Sequence, residues 1–197
     1  MSLDHAILGF LSEHPRSGYD LKNRCFDEGL APLWPADQAQ VYRTLDRLHK
    51  DGLVTVKRRK HAGRPDRKIY EITYSGGEAL ARWLAQPTAA PPYRDPFLIQ
   101  LHFGSALDDD RLLEVMRARR VEHQERLDEL RQQATLTAAD HAASARTTVL
   151  RQTALDGAIA RERSAIDWLD DCIEATQQGA LPGSSSDTAG QRHLFGS

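Results

Sequence analysis

Residues 38–53, QAQVYRTLDRLHKDGL, contain the pattern that decides the fold. Val41, Leu45 and Leu48 recur with the spacing of one helix face, which predicts an amphipathic helix whose apolar stripe faces a core. Gly52 is suited to the end of this helix, because glycine readily adopts the left-handed conformation of a C-terminal cap.

The next residues, VTVKRRKHAGRPDRKIYEIT (54–73), predict a β-hairpin. Alternating and β-branched residues indicate strands over Leu53 to Arg59 and Arg67 to Thr73, and the connection holds turn residues such as Gly63. Residues 57–68 contain seven Lys or Arg and one Asp, so the hairpin is strongly basic. A local basic cluster in a nearly neutral protein favours a polyanionic partner.

Three further helices surround this segment. The first is predicted from Leu3 to Ser12, the second begins at Gly18 after a Ser17 cap, and the fourth is capped by Ser75. The order is helix, helix, helix, hairpin, helix, which is the layout of a winged helix-turn-helix. In that fold the third helix enters the DNA major groove and the hairpin, or wing, reaches an adjacent groove or the backbone.

Ten side chains on the third helix and the hairpin are candidate DNA contacts: Gln38, Gln40, Tyr42, Arg43, Arg47, Lys50, Arg58, Lys60, Arg64 and Arg67. Near the helix N-terminus, Gln can pair with adenine and Arg with guanine. Arg47 and Lys50 lie further along and are expected to hold phosphates, while Arg64 resembles the inserted arginine of minor-groove readers. Solvated arginines and an edge protected by lysines would give the same pattern, but the charge density favours DNA.

The overall composition excludes several classes of protein. The 197 residues carry a net charge of −2, divided into a mildly basic part up to Ala85 and an acidic part from Gln86. No apolar run approaches the roughly 18 residues that a membrane span needs. Two cysteines are too few for a disulfide framework, and the eight histidines show no metal-ligand spacing. We therefore expect a cytoplasmic protein that is not an enzyme and carries no metal or cofactor.

The C-terminal half is predicted to be helical. A Pro-rich linker at 86–96 separates a DNA-binding domain (1–85) from a helical domain (97–178), and 179–197 form a Gly/Ser-rich tail. The last long helix carries an apolar stripe, for which we predict a role in dimerisation: Val149, Leu155, Ile159, Ile166, Leu169 and Ile173. A single chain is not expected to cover so long a stripe, so a homodimer is favoured over a hairpin that packs only on itself.

Three motifs resemble the PadR family of bacterial transcriptional regulators over about residues 3 to 85. The second-helix motif is met by Gly18, Tyr19, Asp20 and Leu21, and the recognition-helix motif by Tyr42, Leu45, Leu48, Gly52 and Leu53. The wing motif is met by Gly63, Arg64, Pro65, Arg67, Tyr70, Thr73 and Gly76. The resemblance implies a dimeric transcriptional repressor that binds double-stranded DNA and belongs to the subgroup with an extended C-terminal helical domain.

The same resemblance implies a small effector, whose identity varies within the family. An aromatic effector would suit a cavity lined by some of these aromatic residues: Trp34, Trp83, Tyr93, Phe97, Phe103 and Trp168. Aromatic residues are more often core residues, so the sequence leaves the cavity open. A winged-helix adaptor that binds another protein in place of DNA is the alternative function, since fold does not fix function.

Overall fold

The computed structural model describes residues 2–61, 64–89, 94–140 and 143–179. The chain forms two compact units, Met1–Pro91 and Pro92–Ser197. Within the described residues, no helix combines the length and the apolar character that a membrane crossing requires.

The first unit contains the predicted order of three helices, a hairpin and a fourth helix. Its elements are α1 (Ser2–Glu13), β1 (Arg16–Ser17), α2 (Gly18–Asp20, continuing as a π-helical stretch over Leu21–Leu30), α3 (Gln38–Lys50), β2 (Val54–His61), β3 (Arg64–Ile72) and α4 (Tyr74–Leu84). This confirms the predicted winged helix-turn-helix. Both strands of the wing extend further toward the tip than the sequence indicated.

The sheet has three antiparallel strands in the order β1-β3-β2. In β3, Tyr70 lies opposite Val56 of β2 on one side and Arg16 of β1 on the other. The two-residue strand β1 was not predicted, because a run this short shows no alternation in the sequence. It joins the chain between α1 and α2 to the base of the wing.

The predicted Ser75 cap of α4 is wrong by two residues. Thr73 is the cap: its hydroxyl accepts a hydrogen bond from the Gly76 amide at 3.0 Å and donates one to the Gly52 carbonyl at 2.8 Å. A Cβ atom added at Gly76 would lie 2.1 Å from the Leu53 carbonyl oxygen. Only glycine therefore allows the start of α4 to lie against the turn that follows α3.

One apolar cluster holds the first unit together. The stripe of α3 packs in it with side chains from α1, α2 and the sheet: Ile7, Leu8, Leu11, Leu21, Phe26, Val41, Leu45, Leu48, Val54 and Tyr70 are buried. Because α3 buries one face in this cluster, its opposite face is left at the surface.

The second unit consists of α5 (Pro96–His102), a short 3₁₀ turn (Gly104–Ala106), α6 (Asp109–Ala138) and α7 (Ala145–Gln177). The sequence predicts α6 to be capped by Asp108 or Asp109 and to end near Gln133, and α7 to begin near Ala138. In the structure Asp108 is the cap, α6 ends at Ala138, and α7 begins after a Ser144 cap. Of the predicted linker, 90–93 lie outside the described residues, and its last residue, Pro96, opens α5. Of the predicted tail, only Gly179 is described.

Candidate nucleic-acid interface

The N-terminus of α3 is fixed by a capping box. Asp37 Oδ1 accepts a hydrogen bond from the Gln40 amide at 2.7 Å, and Gln40 Oε1 accepts one from the Asp37 amide at 3.1 Å. Bidentate pairing with N6 and N7 of an adenine needs both the oxygen and the nitrogen of a glutamine amide. The oxygen of Gln40 is already engaged, so this residue sets the start of the helix rather than presenting a free amide. Gln38 is exposed.

Arg47 pairs with Asp4 of α1, whose carboxylate is mostly buried. The two residues are 43 positions apart in the sequence, which is why the pattern of α3 alone assigned Arg47 to a phosphate. In the structure the ion pair joins the recognition helix to the first helix. Such a part-buried, charge-assisted contact is worth more than a pair on the open surface.

Arg43 and Lys50 are the basic residues that α3 presents to solvent. They lie opposite the buried Val41 and Leu45, and both are exposed. Within the described part of the chain, no acidic side chain lies at ion-pair distance from either cation. They are therefore available to an external anion.

Tyr42 is held in place by the second helix. A Cβ atom added at Gly18 would lie 2.6 Å from Cε1 of the Tyr42 ring, so the ring packs directly on the glycine backbone. The ring remains partly exposed. This contact fixes how α3 follows α2 and explains why glycine and tyrosine occur together in these two motifs.

The wing places like charges opposite one another. In the antiparallel register, Arg58 lies opposite Lys68 and Arg59 opposite Arg67. Like charges directly across two strands destabilise the pair, so the pair of Arg58 and Lys68 carries an electrostatic cost in the free hairpin. A bound polyanion would remove that cost. The side chains of 59–66 are outside the described residues, and this includes the predicted contacts Lys60 and Arg64.

Arg67 has two partners on α2. Its guanidinium lies 5.9 Å from the centre of the exposed Tyr19 ring, within the range of a cation–π contact. The neighbouring Asp20 carboxylate has a lowered pKa, chiefly through the hydrogen bond from the Ser17 hydroxyl and partly through the charges of Arg67 and Arg24. The Tyr19 contact is not visible in the sequence pattern, since it depends on the fold bringing the wing base beside α2.

The predicted dimerisation stripe lies mainly inside the second unit. Leu155, Ile159, Ile166 and Leu169 are buried, and Ile173 packs beside Leu169 and Met116. The expectation that one chain cannot cover this stripe is wrong, because α6 and α7 form an antiparallel hairpin. Of the six predicted residues only Val149 is exposed, at 63% of its surface. The burial of Leu155, Ile159, Ile166 and Leu169 needs no second chain.

Charged side chains close this hairpin along its edge. Arg120 donates two hydrogen bonds to Asp170, and Glu162 accepts contacts from His123 and Arg126. Arg120 and His123 interrupt the apolar stripe of α6, which consists of Leu112, Met116, Leu127 and Leu130. From the sequence alone, an interrupted stripe of this kind predicts only a weak core. Each of the three polar residues of α6 is matched by an acid on α7, so these polar positions are contacts between the two helices: ion pairs for Arg120 and Arg126, and a hydrogen bond between His123 and Glu162.

Some of the predicted aromatic cavity residues make ring contacts within their own unit. Trp83 stacks on His5 in the first unit, with ring centres 4.6 Å apart. Phe97 contacts Trp168 edge-on at 6.2 Å in the second unit. Tyr93 lies outside the described residues.

Comparisons with known proteins agree with this geometry. The chain matches the family model of PadR-like transcriptional regulators over residues 7–82 and that of the virulence activator alpha C-terminal domain over 93–177. It is 36% identical over 188 residues to the probable transcriptional regulator Rv1176c of Mycobacterium tuberculosis, covering 90% of this chain and 99% of the relative. The chain belongs to the PadR-like family of transcriptional regulators.

Solved structures of PadR-like regulators share the fold of this one. The negative transcriptional regulator PadR of Bacillus subtilis is 26% identical over 174 residues, or 87% of this chain and 95% of that protein. Its crystal structure in complex with operator DNA matches with a TM-score of 0.75 at 25% identity, over 89% and 99% of the two chains. The crystal structure of its complex with p-coumaric acid matches with a TM-score of 0.73 at 26% identity, over 89% of this chain and 95% of that chain. The structure of the virulence activator AphA of Vibrio cholerae matches with a TM-score of 0.70 at 26% identity, over 89% of this chain and 98% of that chain.

Proposed function

We propose that this PadR-like regulator is a repressor that binds a pseudo-palindromic operator as a homodimer and is released by a small-molecule effector. The observation that carries the proposal is the pair of unengaged cations on α3, Arg43 and Lys50, in the same unit as a wing whose strands oppose like charges. The similarity to a negative regulator bound to operator DNA supports both the ligand and the sign of regulation.

The ten predicted contacts are assigned different roles. Gln38, Tyr42 and Arg43 are proposed to reach base edges, because they lie in the first half of the recognition helix. Lys50, Arg58 and Arg67 are proposed to hold phosphates, and Lys60 and Arg64 stay predictions for the wing tip. Gln40 and Arg47 shape the interface through the capping box and the pair with Asp4.

Dimerisation is proposed to use the exposed apolar side chains of the second unit. Ile99 and Phe103 lie one helical turn apart at the end of α5, where the Phe103 amide bonds to the Ile99 carbonyl, and both are more than 60% exposed. Exposed aliphatic and aromatic neighbours of this kind suit a contact with a second copy. A two-fold axis would then present two recognition helices to half-sites about 34–36 Å apart.

The DNA part of the proposal is tested by fluorescence anisotropy with the promoter region of the protein's own gene over a range of salt concentrations. Binding should weaken steeply with salt, and Lys50→Ala should reduce the slope by about one phosphate contact. Binding that does not change with salt, or no binding together with capture of a protein partner, would favour the adaptor function.

The dimer is tested by analytical ultracentrifugation. The wild type should sediment as a dimer at micromolar concentration, and Phe103→Asp should shift it to monomer with its helix content intact. Val149→Asp, a matched change at an exposed apolar residue of α7, should leave the dimer in place. If Val149→Asp gives the monomer and Phe103→Asp does not, the contact lies on α7, and a monomeric wild type contradicts dimerisation altogether.

A further inference from the structure

The first residues of α2 lie beside the base of the wing. β1 pairs antiparallel with β3, and its last pair joins Ser17 to Ile69. Continuing this register by two residues brings Tyr19 next to Arg67. The side chains meet there, with the guanidinium carbon of Arg67 lying 5.9 Å from the centre of the Tyr19 ring. The pairing of β1 with β3 therefore sets this aromatic ring and this cation side by side.

Tyr19 is suited to orient a cation rather than to pack in a core. It is 60% exposed, and Arg67 is exposed as well. A cation–π contact uses the charge of the guanidinium and the face of the ring, so the N–H donors of Arg67 stay available to another acceptor. The ring also restricts where the guanidinium lies, which reduces the entropy lost when an anion binds it.

The neighbouring cation on the same face of the wing has a different environment. Lys57 of β2 lies opposite Ile69 and shares the face of Arg67, because alternate residues of a strand point to the same side. Its ammonium group forms an ion pair with Glu71 at 2.5 Å. In the part of the chain that the structure describes, no carboxylate lies at ion-pair distance from Arg67. Of these two cations, Arg67 is therefore the one available to an external phosphate.

One carboxylate, that of Asp20, lies near Arg67 without forming an ion pair. It accepts a hydrogen bond from the Ser17 hydroxyl at 2.6 Å. This hydrogen bond is the main cause of its lowered pKa, to which the charges of Arg67 and Arg24 contribute. Two guanidinium groups thus act on one carboxylate, and Arg24 is exposed like Arg67. This edge of the first unit keeps a net positive charge, which suits a phosphate backbone.

We propose that Tyr19 is a positioning residue for DNA binding: its ring holds Arg67 on the α2 side of the wing, where the guanidinium binds a backbone phosphate of the operator. In helix-turn-helix proteins the first helix of the motif crosses the backbone, and α2 is that helix here. The inference rests on the proposed DNA-binding function and adds α2 to the surface formed by α3 and the wing. Phosphate contacts of this kind fix the orientation of a protein on the duplex without reading its sequence.

Fluorescence anisotropy with the promoter region of the protein's own gene tests this role in the full chain. Tyr19→Leu removes the aromatic face, and the affinity should fall about two- to fivefold for each half-site. The log–log salt slope should become shallower by up to about 0.9 for each phosphate contact that is lost. Tyr19→Phe should keep the wild-type affinity and slope, because the ring face remains. In an Arg67→Ala background, Tyr19→Leu should have no further effect, since the cation that it positions is absent.

Two matched variants control for the loss of a tyrosine and of a positive charge. Tyr74→Leu changes a tyrosine of the same unit that is 83% exposed, and should leave the affinity unchanged. Lys57→Ala removes a cation already paired with Glu71, so it should weaken binding less than Arg67→Ala and show no coupling to Tyr19→Leu. All of these side chains are exposed, so the variants should keep the wild-type circular dichroism spectrum and thermal midpoint.

Three results would overturn the positioning role. If Tyr19→Phe loses as much affinity as Tyr19→Leu, the hydroxyl contacts DNA directly. If the losses in Tyr19→Leu and Arg67→Ala are additive, the two residues act independently. If the wild type binds with a steep salt dependence and Tyr19→Leu matches it, this inference alone is wrong. A wild type that does not bind the DNA contradicts the proposed function as well.

Discussion

Arginine side chains have opposite surroundings on the outward face of α3 and in the helical hairpin of the second unit. On the outward face of α3, Arg43 has no acidic neighbour at ion-pair distance among the described residues. In the helical hairpin, Arg120 donates two hydrogen bonds to Asp170, and Arg126 lies 3.3 Å from Glu162. The outward-facing Arg43 therefore remains available to an anion, whereas Arg120 and Arg126 join α6 to α7, as Arg47 joins α3 to α1 in the first unit. The presence of an acidic side chain at ion-pair distance, rather than the number of charges, distinguishes the helical hairpin from the candidate DNA-binding face.

The largest expected effect concerns the helical hairpin of the second unit. Ile166→Asp introduces a carboxylate at a position that is 6% exposed within the α6–α7 hairpin. Burial of an unpaired charge is strongly destabilising, so the free energy of unfolding should fall by about 3–5 kcal/mol. Urea denaturation followed by circular dichroism measures it. A fully stable monomeric variant would show that Ile166 faces a partner chain instead.

A second change perturbs the winged unit without touching its charges. Gly76→Ala places a methyl group against the Leu53 carbonyl, and the forced shift should cost about 1–3 kcal/mol of unfolding free energy. The neighbouring Gly77 has open space around its Cβ position, so Gly77→Ala should be neutral or slightly stabilising. Thermal unfolding of the two variants compares them, and equal stabilities would contradict the close approach of α4 to Leu53.

Arg43→Ala and Arg120→Ala test the comparison itself. Removal of Arg43 should weaken specific operator binding by about 1–3 kcal/mol and relax base preference at one position in each half-site. Removal of Arg120 should leave operator affinity unchanged, because its guanidinium is engaged by Asp170. Anisotropy titrations with the operator and with single-base variants measure both. An equal loss in the two variants would mean that unspecific charge, rather than contact, controls binding.

Asp4→Asn is expected to change Arg47 from an ion-paired arginine into one that is available to an external anion. It releases Arg47 from its ion pair beside the recognition helix, so one more phosphate contact should form and the salt dependence of DNA binding should steepen by about 0.9 in log–log slope. Asp51→Asn removes a charge at the end of the same helix without freeing Arg47, and should not change the slope. If both variants behave alike, the effect is due to net charge.

The smallest expected effect concerns acid stability of the hairpin. The hydrogen bonds from Arg120 hold the pKa of Asp170 below its ordinary value of 3.8. A carboxylate with a lowered folded-state pKa stabilises the fold above that ordinary value, and the contribution disappears as pH falls through the folded-state pKa. Asp170→Asn should therefore remove part of the acid-dependent loss of thermal stability. Asp167→Asn on the same helix is the control and should keep the wild-type profile.

The winged unit was predictable from the sequence because its determinants are local. The 3.6-residue stripe of α3, its Asp37 cap and the alternation in the wing are each visible within a few residues. The pairing of Asp4 with Arg47 and the contact of Tyr19 with Arg67 were not predictable, because they join residues more than forty positions apart. These contacts decide which cations remain free.

The helical hairpin was misjudged for a related reason. Polar residues such as His123 interrupt the apolar stripe of α6, so the helix resembled a weak partner for α7. Its acids are supplied by α7 about forty residues later, at Glu162. From periodicity alone such positions count as breaks in a core, whereas in the folded chain they contact acidic side chains of α7.

The opposed like charges of the wing have a consequence for how the protein would search a genome. Arg58 and Lys68, which lie opposite each other in the wing, would attract any phosphate backbone with little regard to base sequence. The wing would hold the protein near the duplex while it slides, and recognition would wait until α3 meets a matching half-site. Substitutions in the wing should then alter search time and residence on unrelated DNA, whereas those in α3 change which site is chosen.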